Sequence, residues 1–151
     1  MRIVVDAQII NDKNCIFCRI AQGKIPSIKV AENDVALAFM DINPVAPGHC
    51  LVIPKHHAEN IFVTPEHALT AAINMVSRVA SAIHRAIEPQ GINILQANGP
   101  GAKQSVFHTH FHIIPRMVDD DLRMNWDQKL GVVADIEEVA KRIHATLERV
   151  N

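Results

Sequence analysis

Gln104-Ser105-Val106-Phe107-His108-Thr109-His110-Phe111-His112-Ile113-Ile114-Pro115-Arg116 is the stretch around which the rest of the chain is read. Three histidines alternate with Thr109, Phe111 and Ile113, and a period of two marks a β-strand with chemically different faces. The imidazoles are therefore expected on one face. At about 3.3 Å per residue, His108 and His112 stand roughly 13 Å apart. Such a row is poorly placed to chelate one ion and suggests three separate tasks. Neutral imidazole suits attack on phosphorus, because with an ordinary pKa of about 6.5 it needs no prior deprotonation. Attack by one ring nitrogen requires the other to be held as a donor.

Working outward, the loop Asn98-Gly99-Pro100-Gly101-Ala102-Lys103 precedes the histidines and reads as a tight turn. A strand over residues 92–96 lies before it, and before that the longest helix, from about Pro65 to Ile87. Thr64 is placed to cap that helix, and Leu69, Ala72, Ile73, Val76, Val79, Ala80, Ile83 and Ile87 form its apolar stripe. Further upstream, residues 28–31 and 35–40 form a hairpin, and Pro47-Gly48 turns the chain into a third strand over 49–54. Cys15 to Ile20 reads as a short helix ended by Gly23 and Pro26. Residues 1–13, with Ile3-Val4-Val5, fit either an extra strand or an ordered arm.

Beyond Arg116 a last helix starts near Asp135, with Ile136, Val139, Ala140, Ile143 and Leu147 as its buried face. Trp126 is expected to pack against it, with closure over a ligand or reach to a partner subunit as other readings. About five strands and two substantial helices make an α+β domain with a mainly antiparallel sheet, a single domain over 1–151 with a core at about 14–116.

The bulk properties limit the function. The chain has 151 residues, 48% hydrophobic and 21% charged, and a formal net charge of -1. No global basic field exists to hold nucleic acid. No apolar run approaches a membrane span and no secretory leader is visible, so a cytoplasmic location is expected. Cys15 and Cys18 then read as thiols or metal ligands, and Cys50 as a packed side chain. His56 and His57, at a strand end, read as surface residues.

With these residues in view, the chain resembles the histidine triad (HIT) family of nucleotide hydrolases and transferases, whose motif is His-φ-His-φ-His-φ-φ with φ apolar. The motif here runs from His108 to Ile114 and departs only at Thr109. The resemblance extends over about residues 14–116. It includes Cys15-Ile16-Phe17-Cys18, Phe39-Met40-Asp41-Ile42, the stretch from Gly48 to Lys55, and Gln104-Ser105.

The resemblance implies a five-stranded antiparallel sheet with helices, a homodimer through the long helix and adjoining strand, and a small-molecule nucleotide as substrate. It implies His110 as nucleophile, forming a nucleotidyl-histidine intermediate at the α-phosphate, with His112 on the phosphate oxygens. It also implies Ser105, with Gln104 before it, at the phosphate or leaving group, and Asn98 as a phosphate-side contact. Asp41 would hold the ribose, and Phe17, Ile20, Phe39, Ile42 and Leu51 would line the base pocket. The product expected is a nucleoside monophosphate, AMP by family expectation, released from a dinucleoside polyphosphate or a phosphoramidate. The Ile114-Pro115-Arg116 ending and the extra helix look closer to the polyphosphate branch. A nucleotide sensor with little turnover is the alternative. Zinc-binding branches of the family imply a structural Cys₂His₂ zinc at Cys15, Cys18, His49 and His108, and no organic cofactor.

Overall fold

In a computed structural model, residues 9–123 and 128–150 are described; the Ile3-Val4-Val5 run and Trp126 lie outside them. The chain divides into two compact units, Met1–Asp120 and Asp121–Asn151.

The first unit carries a short helix α1 (Ile16–Ala21), strands β1 (Lys29–Glu32), β2 (Ala36–Met40) and β3 (Cys50–Pro54), the long helix α2 (Glu66–Ile87), and strands β4 (Gly91–Leu95) and β5 (Phe111–Arg116). The strands form one antiparallel sheet in the order β1-β2-β3-β5-β4. The expected α+β architecture is therefore present. The Asn33 side chain closes the β1–β2 turn by accepting the N–H groups of Val35 and Ala36 at 2.9 and 2.7 Å.

Alternation along the strands separates two cores. Ala36, Ala38, Cys50, Val52, Phe111 and Ile113 face α2, where they meet Ala72, Met75, Val76, Val79 and Ile83. Leu37, Phe39, Leu51 and Ile53 face the other way, against Phe17, Cys18 and Ile20 of α1. This second face carries the histidines, since Leu51 pairs with His112.

Three expectations need correction. The α2 stripe is rotated, with Ala68 and Met75 buried and Ile73 and Ile87 exposed. Thr64 makes no cap; its hydroxyl bonds the Asn60 carbonyl and the Thr109 hydroxyl, each at 2.7 Å. The histidine stretch is strand only from Phe111 onward. Before that, the Thr109 N–H leaves the ladder and donates to the Ala58 carbonyl at 2.8 Å.

The second unit holds helix α3 (Val133–Val150). Its stripe has the expected helical spacing, but Ile136, Val139, Ile143 and Leu147 are all exposed. Among the described residues of its own unit, the helix has nothing to bury that stripe against.

Candidate active site and metal centre

The end of β5, the β2–β3 turn and α1 enclose a pocket of about 360 Å³. Phe17, Ile20, Phe39, Ile42 and Leu51 line it, as do Asp41, Ser105, His110 and His112. Asp41 sits in an Asx turn, its Oδ1 accepting the Asn43 N–H at 2.8 Å. Two of the expected nucleotide contacts are absent from the lining. Asn98 accepts the Ile61 N–H at 2.8 Å and forms a reciprocal amide pair with Gln96. Gln104 is buried, accepting from the Gly99 N–H at 2.8 Å and donating to the Glu59 and Val106 carbonyls at 2.6 and 3.1 Å. Both amides hold the loop that presents Ser105.

Backbone partners decide where each imidazole carries its proton. His110 Nδ1 lies 2.6 Å from the His108 carbonyl oxygen, which only accepts, so Nδ1–H donates and the Nε2 lone pair is free. His49 Nδ1 accepts the Val45 N–H at 3.2 Å, so its proton is on Nε2. That proton is donated to His112 Nδ1 at 2.9 Å, which leaves the His112 proton on Nε2. One ring of the pair is therefore a free base and the other a free donor, with centroids 5.0 Å apart. Phe17 meets the His110 ring edge-on at 5.1 Å.

Burial keeps these rings neutral. It lowers His112 to about 4, with the nearby His110 and His49 adding to the shift, and it outweighs Asp41 in holding His49 below the ordinary imidazole value. His110 is also lowered, chiefly by burial.

His108 points elsewhere. Its Nε2–H donates to the Pro54 carbonyl at 2.8 Å, and its Nδ1 stands 3.4 Å from Cys15 Sγ, 3.6 Å from Cys18 Sγ and 3.3 Å from His57 Nδ1. His57 Nδ1 is in turn 3.4 Å from Cys18 Sγ. The four donor atoms lie within 4.8 Å of one another.

This corrects the expected ligand set, because His57 and not His49 joins the cysteines. The chain wraps residues 54–58 around His108 and Thr109, through the Pro54 and Ala58 carbonyls, and His57 lies inside that wrap. His49 instead meets His112 and has Asp41 Oδ2 at 3.6 Å. Although Asp41, His49 and His112 also cluster, the Val45 N–H occupies His49 Nδ1, so a metal on Nε2 would require an imidazolate.

The Cys15-Cys18-His57-His108 cluster passes a simple test of fit. A tetrahedral zinc with bonds of about 2.3 Å to sulfur and 2.05 Å to nitrogen places its ligand atoms roughly 3.3 Å (N to N) and 3.6 Å (N to S) apart, close to the separations above. Burial pushes the Cys18 thiol up to about 11. A thiolate there needs a cation beside it.

An antiparallel five-stranded sheet, a short helix closing one face and a two-histidine pocket define the class of the protein. The HIT domain family model matches residues 22–118. Protein hit of Bacillus subtilis is 50% identical over 69% of this chain and 72% of its own. The adenosine 5'-monophosphoramidase hnt1 of Schizosaccharomyces pombe is 45% identical over 68% of this chain and 74% of its own. A crystal structure of a HIT family member from Bacillus subtilis superposes with a TM-score of 0.83 at 41% identity, covering 88% of this chain and 96% of that one. A zinc-bound histidine triad protein from Mycobacterium smegmatis superposes with a TM-score of 0.69 at 31% identity, covering 91% and 98%. The chain belongs to the HIT family.

Proposed function

We propose that this HIT-family hydrolase releases a nucleoside monophosphate, AMP as the first candidate, from a nucleoside phosphoramidate through a covalent intermediate on His110. The orientation of His110 carries the reading: Nδ1–H is pinned to the His108 carbonyl and the Nε2 lone pair is left free on a pocket-lining ring. Nε2 attacks the α-phosphorus, the P–N bond breaks, and the amine leaves with a proton taken from solvent. Water then attacks the same phosphorus, returns a proton to solvent as the P–Nε2 bond breaks, and the monophosphate departs. His112 Nε2–H and the Ser105 hydroxyl are the donors for the phosphoryl oxygens, Asp41 takes the ribose hydroxyls, and Phe17, Ile20, Phe39, Ile42 and Leu51 take the base.

Charge favours the amine leaving group. Among the described residues the pocket lining contains no lysine or arginine, and its histidines are neutral. A polyphosphate chain would find hydrogen-bond donors there and no cation. The relative from Schizosaccharomyces pombe, named for phosphoramidase activity, supports the same choice.

Zinc at Cys15, Cys18, His57 and His108 belongs to this reading as a structural group. When bound it would supply charge for the thiolates and a fixed anchor for α1 and His108. The zinc-bound relative and the donor distances above support it. The three free thiols suit the cytoplasm, and no described helix is long and apolar enough to cross a membrane. A homodimer through α2 and β4 completes the proposal, supported by β4 at the open edge of the sheet with Ile94 and Leu95 exposed.

The test is AMP release from adenosine 5'-phosphoramidate and from diadenosine tetraphosphate by wild type and His110→Ala. Wild type should prefer the phosphoramidate, and the variant should lose roughly 10³-fold or more in kcat while still binding AMP. Equal rates in the two proteins would reject the nucleophile, and a preference for the tetraphosphate would reject the leaving group.

A further inference from the structure

The segment ahead of α1 is tied to the metal cluster at more points than a connecting arm requires. The His57 N–H donates to the Ile10 carbonyl at 2.7 Å, and the Cys15 N–H donates to the Asp12 carbonyl at 3.1 Å. The Asp12 N–H points at Cys18 Sγ, 3.4 Å away. Asp12 Oδ1 accepts the Asn14 N–H at 2.8 Å, which turns the other carboxylate oxygen toward His57, where Oδ2 lies 4.0 Å from Nε2. One residue therefore addresses two of the four donors. Asp12 and both cysteines also precede residues 22–118, the span of the family match.

A histidine that ligates through one ring nitrogen needs an acceptor at the other to fix its tautomer and orientation, and a carbonyl or carboxylate is the usual partner. His108 has the Pro54 carbonyl in that role. His57 turns Nδ1 toward the cluster, and the acidic group facing its Nε2 among the described residues is Asp12. At 4.0 Å the pair is one bridging water, or one rotation of the half-exposed carboxylate, away from a hydrogen bond.

We propose that Asp12 is the outer partner of the metal centre, its amide N–H stabilising the Cys18 sulfur and its carboxylate orienting His57 for ligation. The proposal rests on the zinc reading above and adds to it a residue outside the ligand set. Asp12 is a positioning residue: it touches neither nucleotide nor reacting atoms, and it acts on the metal through His57 and Cys18.

The experiment measures zinc affinity of the full chain by competition with a chromophoric chelator, in wild type, Asp12→Ala, Asp12→Asn and Asn11→Ala. Asn11 serves as the control because, among the described residues, its side chain makes only a local contact, with the Ile9 carbonyl at 3.4 Å. Asp12→Ala should bind zinc about 10- to 100-fold more weakly, with Asp12→Asn in between. Asn11→Ala should stay close to wild type. At saturating cobalt, Asp12→Ala should keep the thiolate-to-cobalt absorption of wild type, showing an unchanged ligand set. Asp12→Ala matching wild type would overturn the proposal, and so would an equal loss in Asn11→Ala, which would mean the whole segment matters and not this carboxylate. A wild-type chain that takes up no zinc would overturn the metal reading itself, and that result is visible without any variant.

Discussion

At the scale of single residues, the division of labour along the motif is written in where the protons sit. His110 and His112 differ in what faces Nδ1, a carbonyl oxygen in one case and a donating imidazole in the other, and this makes one ring a base and the other a donor. Removing His49 leaves His112 free to take either tautomer. His49→Ala is therefore expected to lower kcat by about 10-fold or more, as losing an orienting partner does elsewhere, with little change in KM; an unchanged kcat would show that His112 orients without help. The pH profile follows from burial. Because His110 is held below the ordinary value of about 6.5, the neutral form of the proposed nucleophile persists as pH falls through that value. The acid limb of kcat/KM should lie below pH 6.5, reflecting protonation of the buried ring; a limb at or above 6.5 would contradict the buried environment. That His110 and His112 share one pocket was legible in the motif, whereas the choice between His49 and His57 beside the cysteines was not. His49 stands just before β3 and His57 just after it, and only the wrap of residues 54–58 around His108 distinguishes them.

At the scale of elements, strict alternation predicted a strand through all three histidines, and the strand begins only at Phe111. Thr109 marks the difference. It is fully buried, and its hydroxyl is satisfied by Thr64 and the Ala58 carbonyl, so the position that departs from the apolar motif is a polar tie to the start of α2. Residues 106–108 bend, with the His108 N–H donating to the Val106 carbonyl at 2.9 Å, so the sequence alternation continues where the ladder does not and pattern alone placed the boundary too early. The turn into β3 was legible through Pro47-Gly48, but not what it packs against. Gly48 has φ +86°, and a Cβ there would stand 2.5 Å from Ile87 Cδ1 and 3.1 Å from Pro115 Cγ. Gly48→Ala combines left-handed strain with overpacking, for a loss of about 2–4 kcal/mol in urea unfolding. Adding Ile87→Ala should recover the steric part and leave the strain. A Gly48→Ala protein as stable as wild type would mean that the turn relaxes freely.

At the scale of the whole molecule, α2 and α3 look alike as sequence and differ in fate. Both carry apolar stripes at helical spacing, yet α2 buries its stripe against the sheet while Ile136, Val139, Ile143 and Leu147 of α3 remain exposed. Periodicity reports that a face is apolar and not what covers it. The same holds for β4, where Ile94 and Leu95 are exposed on an edge strand. Two unpaired apolar surfaces give a dimer two places to form, and charge insertion separates them. Burying an Ile or Leu side chain stabilises by about 1.5–3 kcal/mol, and a twofold interface counts every substitution twice. Two glutamates on the surface in use should therefore abolish association at micromolar concentration. Wild type is expected to elute as a dimer in light-scattering chromatography, with Ile94→Glu/Leu95→Glu monomeric if β4 forms the contact and Ile143→Glu/Leu147→Glu monomeric if α3 contributes. Dimers in both variants would rule out both surfaces, and a monomeric wild type would remove the dimer from the proposal while leaving the chemistry at His110 intact.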